Sequence, residues 1–202
     1  MLTLQKIAIT GGLSCGKSSA CHFFKEFGSY TINADEIVHQ LLSSNTKLIQ
    51  EITSLLGDDI TENHQINRSR MAKKVFNNPQ LLRSLENILH PIVYDEIERQ
   101  YQRVAKEQSA PLFIAEIPLL YETGNDRFFD KTIVVVADEK VCKERFQQKT
   151  ALEAEEYDKR SARMLSLKEK ALKADYVIKN DGTLAQMRDR VKNIYDLLKK
   201  TS

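Results

Sequence analysis

Apolar and polar positions along the chain change rhythm several times, and each change marks an element. Lys6-Ile7-Ala8-Ile9-Thr10 is a short β-rich run that stops at Gly11-Gly12, which predicts a buried strand ending in a turn. Ala20, Phe23, Phe24 and Phe27 then recur at helical spacing, predicting a helix from Gly16 to Phe27 that Gly28 closes. Tyr30–Asn33 predicts a second brief strand. From Glu36 to Arg103 the pattern is almost wholly helical, with breaks at Gly57-Asp58-Asp59 and Asn77-Asn78-Pro79 and a further candidate break at Pro91. Unbroken apolar runs return at Leu112–Ile117, Lys131–Val136 and Tyr176–Lys179, as in strands buried on both faces of a parallel sheet. Helices are expected after the last two, at Glu139–Gln148 and Thr183–Lys199. The alternation predicts an α/β fold: a doubly wound parallel sheet of about five strands with a long helical insertion between strands two and three. Thr150–Lys173 is charged and weakly periodic, and reads as a mobile helical segment over the sheet edge. The expected division is a core of 1–36, 110–148 and 174–202, an insertion of 37–109, and a lid of 149–173.

Composition narrows the function classes. The 202 residues suit one domain carrying insertions, and 42% hydrophobic with 29% charged residues is a globular balance. Thirty basic against 28 acidic residues leave a formal charge of +2, which argues against partners held by bulk electrostatics, such as duplex DNA or an anionic membrane. No apolar run approaches the ~18–20 residues of a membrane span, and because Lys6–Thr10 runs directly into glycines without an apolar h-region, no secretion signal is expected. Cys15, Cys21 and Cys142 have the spacing of neither a disulfide framework nor a zinc site. The expectation is a cytoplasmic protein, monomeric or weakly oligomeric, with small-molecule partners and no nucleic acid or membrane.

The chemistry begins at Gly11-Gly12-Leu13-Ser14-Cys15-Gly16-Lys17-Ser18, which matches GxxxxGK[ST]. Glycines let the backbone curl so that successive N–H groups face phosphate oxygens, and the following helix adds its positive end. Lys17 reaches the β- and γ-phosphates, and the Ser18 hydroxyl completes a Mg²⁺ shell, with Ser19 beside it. Cys15 is either a redox switch or the occupant of an unconstrained loop position, and the second is preferred. A guanine-reading NKxD is missing, since Lys179-Asn180-Asp181 has the wrong order. A small phosphate-loop protein with a helical insertion and a charged late segment fits a metabolite or nucleoside kinase, the insertion holding the acceptor and the segment closing as a lid. Asp35 lies just beyond the second strand, where open α/β sheets bind ligands. It could orient an acceptor hydroxyl, or simply cap the helix that starts at Glu36. These two roles stay open on position alone.

The remaining motifs are similar to those of the dephospho-coenzyme A kinase family over nearly the whole chain. Ile66-Asn67-Arg68-Ser69-Arg70-Met71-Ala72, Val75-Phe76, Leu85-Glu86 and His90-Pro91-Ile92-Val93 resemble the family's L-x-R-x-x-L, V-F, L-E and H-P-x-V pattern with its spacing. Ile117-Pro118-Leu119-Leu120-Tyr121-Glu122 resembles V-P-L-L-[FY]-E, and Ala174–Gly182 resembles A-D-Y-V-I-x-N-x-G. Departures are Asn33-Ala34-Asp35 for D-A-D, Ser14 and His64 at positions usually glycine, Lys149 for an arginine after Arg145, and Met164 for a lid glutamine. The resemblance implies transfer of the ATP γ-phosphate to the ribose 3′-hydroxyl of dephospho-CoA with Mg²⁺. It implies Asp35, Lys17 and Arg145 as catalytic, and the loop residues Gly11 to Ser19 with Arg145 and Asn180 as nucleotide-binding. Asp35, Arg68, His90, Pro118, Leu119, Leu120 and Glu122 would bind the acceptor, and Lys149, Arg160 and Arg163 would belong to the lid. Glu116 is either a metal-linked acid or a strand-end glutamate held by hydrogen bonds.

Overall fold

The computed structural model describes residues 4–76 and 78–201. Along the chain run β1 (Gln5–Gly11), α1 (Lys17–Glu26), β2 (Tyr30–Asn33), α2 (Ala34–Ser44), α3 (Thr46–Leu56), β3 (Thr61–Glu62), β4 (Gln65–Ile66), α4 (Arg68–Phe76) and α5 (Pro79–Glu107). Then follow β5 (Leu112–Glu116), β6 (Lys131–Val136), α6 (Glu139–Thr150), α7 (Ala154–Ser161), α8 (Leu167–Lys173), β7 (Tyr176–Lys179) and α9 (Leu184–Thr201). The expected α/β sheet is present: five parallel strands in the order β2-β5-β1-β6-β7. Two compact units make up the chain, one of Ala34–Gln100 and one of the residues on either side of it.

In the sheet unit, side chains alternate between the two faces of each strand. Ile7 and Ile9, Leu112 and Ile114, Ile133 and Val135, and Ile178 line one face. They pack on Phe23 and Phe24 of α1, Cys142 and Phe146 of α6, and Val191 and Leu198 of α9. Registry places Ile9 beside Glu116 and Gly11 beside Val135, so the carboxyl ends of β1, β5 and β6 share one edge. Ligands bind at that edge in sheets of this kind.

The helical unit has its own core, from Leu42, Leu48, Ile52, Ile60, Met71, Val75, Leu85 and Leu89. Three sequence expectations change here. First, Thr61–Glu62 and Gln65–Ile66 pair as an antiparallel hairpin inside a stretch expected to be helical. Its turn residues Asn63 and His64 both have positive φ, at 49° and 62°, which suits a tight hairpin turn. Second, Pro91 does not break α5. Leu85, Leu89, Val93 and Ile97 are buried at four-residue spacing on both sides of it, and that packing outweighs the one lost backbone hydrogen bond. Third, α2 begins at Ala34 rather than Glu36, so Asp35 lies within the first helical turn and is not the cap. The expected break at Asn77-Asn78-Pro79 includes Asn77, outside the described residues. Asn78 itself caps α5 by accepting from the Leu81 amide at 3.1 Å.

Candidate active site

The loop from Gly11 to Ser18 joins β1 to α1, and its shape is imposed from three sides. Gly11 rests on β6 so closely that a Cβ there would lie 2.3 Å from the Val135 carbonyl oxygen. Gly16 has φ of 100°, and a Cβ on it would meet Asn180 Nδ2 at 2.2 Å. Asn180, buried just beyond β7, donates from that same Nδ2 to the Cys15 carbonyl at 2.8 Å. Ser14, usually glycine in the resembling family, has a left-handed φ of 56°, the conformation glycine adopts without cost. Leu13 packs partly against the core, and Ser19 is half-buried on α1.

Lys17 opens α1, and its ammonium donates to the Gly12 carbonyl at 2.8 Å. The Ser18 hydroxyl donates to Glu116 Oε1 at 3.0 Å, and Asn33 Nδ2 donates to Glu116 Oε2 at 3.0 Å. Glu116 is 5% exposed at the end of β5, so its carboxylate links the ends of β2 and β5 to the start of α1. Of the two sequence alternatives, the structure shows the hydrogen-bonded strand-end glutamate, and its carboxylate orients the Ser18 hydroxyl. Burial and the adjacent Glu116 push the Cys21 thiol well up, so it stays neutral.

Arg145 on α6 donates from Nη2 to the Asn180 carbonyl at 3.1 Å. Its Nη1 is buried without a hydrogen-bond partner among the described residues. A donor left so beside a phosphate loop is suited to an anionic ligand. Arg160 on α7 pairs with Glu156 at 2.9 Å and lies over the Phe146 ring, Lys149 is exposed at the end of α6, and Arg163 follows α7.

The structure places the other expected site residues as follows. Leu120 is fully buried, so its side chain packs inside the protein instead of offering a surface to an acceptor. Glu122 pairs with Lys170 at 2.8 Å and accepts from the Leu165 amide at 2.8 Å. Pro118 contributes its carbonyl, which accepts from the Thr10 hydroxyl at 3.1 Å, and Leu119 is half-buried beside it. Cys15 is not in an unconstrained position: it is fully buried with its sulfur 3.1 Å from that of Cys142. The contact between the two sulfurs lowers the Cys15 thiol against the effect of burial and pushes the Cys142 thiol up. Within the mostly exposed Thr150–Lys173 segment, Tyr157 packs edge-on against Phe146 and Lys170 has no exposed surface. Asp35, Arg68 and His90 lie in the helical unit, in the first turns of α2 and α4 and within α5. Sequence reasoning missed Lys170 and the pairing of Cys15 with Cys142.

Among the described residues no helix is long and apolar enough to cross a membrane. The family model for CoaE, dephospho-CoA kinase, matches residues 5–186. The chain belongs to the dephospho-CoA kinase family. A dephospho-CoA kinase of Protochlamydia amoebophila is 50% identical over 98% of each chain. A solved dephospho-CoA kinase structure from Campylobacter jejuni superposes with a TM-score of 0.72 at 30% identity, covering 96% of both chains. A crystal structure from Thermus thermophilus reaches 0.84 at 25% identity over 99% of both. In dephospho-CoA kinase terms, the departures at Ser14 and His64 fall on left-handed backbone, and the departure at Asn33 falls on the contact with Glu116.

Proposed function

We propose that this chain is a dephospho-CoA kinase that transfers the γ-phosphoryl group of ATP to the ribose 3′-hydroxyl of dephospho-CoA. The observation that carries this is the Ser18–Glu116–Asn33 chain of hydrogen bonds at the mouth of a formed phosphate loop, with Asp35 following Asn33 by two residues. Loop amides and the α1 N-terminus bind the phosphates, and Lys17 leaves the Gly12 carbonyl for the β- and γ-oxygens. Arg145 Nη1 supplies a further donor as charge develops on the transferring group. Asp35 accepts a hydrogen bond from the acceptor hydroxyl and holds it in line; in a loose transition state the proton leaves late, so positioning outweighs basicity. Arg68 and His90 contact the acceptor, and α7 with Lys149, Arg160 and Arg163 closes over the nucleotide.

No group of three or more His, Cys, Asp or Glu among the described residues could hold a metal by itself. The Ser18 hydroxyl and Glu116 carboxylate are hard oxygen donors, which fits Mg²⁺ completed by substrate phosphates. Bound there, Mg²⁺ would neutralise charge across the β- and γ-phosphates. The protein works in the cytoplasm, where both substrates are small soluble molecules.

The test is ADP release with dephospho-CoA as acceptor. Preference for shikimate, gluconate or a nucleoside would overturn the assignment. Asp35→Asn is expected to keep ATP binding and lose about 10²-fold in rate, as for one preorganised group. Unchanged turnover would remove Asp35 from the mechanism.

A further inference from the structure

Lys170 is a lysine with no exposed surface, in the middle of a helix whose sequence is Leu-Lys-Glu-Lys-Ala-Leu-Lys. Burying an ammonium is costly unless its donors are all used. Here each of the three has an acceptor. Nζ lies 2.8 Å from Glu122 Oε1, 3.0 Å from the Pro118 carbonyl and 3.4 Å from the Gly11 carbonyl. These acceptors belong to different segments: Gly11 opens the phosphate loop, while Pro118 and Glu122 lie in the turn that follows Glu116 and β5.

A second contact of α8 reaches the same loop. A Cβ on Gly12 would lie 3.0 Å from Leu167 Cδ2, so the side chain one turn before Lys170 rests on the loop backbone. Upstream, the Leu165 amide donates to the same Glu122 carboxylate. A capping box of Ser166 and Glu169 starts α8 between these contacts and fixes its first turn. Burial pushes Lys170 below the ordinary lysine value, with the Glu122 charge working against that shift. An ammonium held this way is specified by its neighbours, since a tilt of α8 would strand it and leave Glu122 with only the Leu165 amide.

We propose that Lys170 is a positioning residue for phosphoryl transfer, its ammonium fixing the Gly11 and Pro118 carbonyls so that the phosphate loop is set against the turn behind Glu116. Through Glu122 and Leu165 the same ammonium anchors the end of the segment that carries Arg160 and Arg163. The residue touches no substrate. It acts by holding the loop amides and the Ser18–Glu116 pair in mutual register, where a displacement of about 1 Å costs on the order of 10²-fold in rate. The proposal rests on the kinase reading given above. ATP affinity measured without any acceptor tests it separately, because that quantity does not depend on which hydroxyl is phosphorylated.

The experiment compares Lys170→Met with the double variant Glu122→Gln/Lys170→Met, measuring Tm, ATP affinity by titration calorimetry, and kcat and KM at a temperature where each is folded. Lys170→Met is expected to lower Tm, weaken ATP about tenfold and reduce kcat between tenfold and a hundredfold. The double variant has no unpaired carboxylate and recovers Tm, yet ATP affinity and kcat stay low, because the Gly11 carbonyl has lost the ammonium and the Pro118 carbonyl keeps only the Thr10 hydroxyl, so nothing ties the two together. Wild-type ATP affinity and kcat in the double variant would overturn the proposal and leave Lys170 as a counter-ion only. Leu167→Ala loosens the same helix without stranding a charge, and keeps the test decisive if the charge variants do not fold. It is expected to weaken ATP several-fold, and unchanged affinity in the folded variant would equally overturn the proposal.

Discussion

Asn33 donates its side-chain amide to Glu116 at 3.0 Å, on the carboxylate oxygen opposite the one that receives the Ser18 hydroxyl. The family motif usually has aspartate at this place, and an aspartate could donate only when protonated. Asn33 therefore meets Glu116 as a neutral donor, where an ionised aspartate would meet it as a second negative charge.

Asn33→Asp restores the usual motif and places two carboxylates in contact. Like charges so close raise one carboxyl's pKa or attract a cation. The variant is expected to melt below wild type in EDTA and to gain more in Tm than wild type on adding Mg²⁺. Equal Mg²⁺ responses in the two proteins would mean that Glu116 does not face the cation.

Asn180→Ala removes the donor to the Cys15 carbonyl and frees the loop at its centre. A buried carbonyl left without its donor costs about 1–3 kcal/mol, which corresponds to ATP binding weaker by about fivefold to a hundredfold. Calorimetry with ATP alone measures it, and affinity within twofold of wild type would separate Asn180 from the loop.

His64→Gly relieves an exposed residue from left-handed backbone in the turn of the β3–β4 hairpin, where Asn-Gly is the favoured pair. Steric relief of about 1–2 kcal/mol, less the added freedom of glycine in the unfolded chain, leaves a gain of about 0.5–1 kcal/mol. A Tm increase of about 2–3 °C is expected by scanning calorimetry. A lower Tm would show that the His64 side chain contributes more than its backbone conformation costs.

Asp175 controls an acid-sensitive link beside β6 and β7. Burial raises its carboxyl, but Lys131 at 2.9 Å and the amide and hydroxyl of Thr132 at 2.8 and 3.1 Å outweigh it and hold it below the usual range. A depressed folded-state pKa contributes stability that is fully present above the unfolded value of about 3.9 and is lost as pH falls through the folded value. Asp175→Asn should therefore lie furthest below wild type in Tm at neutral pH, with the gap closing in acid. A gap of constant size from pH 7 to pH 3 would contradict the assignment.

The sheet was legible because Leu112–Glu116 and Lys131–Val136 are apolar runs that need no distant partner to be recognised. The loop was legible because backbone geometry restricts Gly11 and Gly16 to one residue type. The hairpin was not, since each of its strands has two residues and His64 hides a turn that glycine would have announced. Lys170 was hidden in a charged stretch, because its acceptors lie as far away in sequence as Gly11. A local cue existed: Leu167, Lys170, Ala171 and Ala174 form one helical stripe, with the lysine where an apolar residue is expected. Cys15 and Cys142 carry no such cue, being 127 positions apart and joined only by the packing of α6 on the loop.

The fit of Asn180 against Gly16 has a consequence for anyone transplanting this nucleotide site. The amide nitrogen occupies the volume in which a Cβ on Gly16 would stand. A graft of Gly11–Ser18 alone into another scaffold would carry the glycine without the group that fills its empty side and ties down Cys15. The transferable module is discontinuous, made of an eight-residue loop and one asparagine from beyond the last strand. Chimeras built on contiguous segments would divide it.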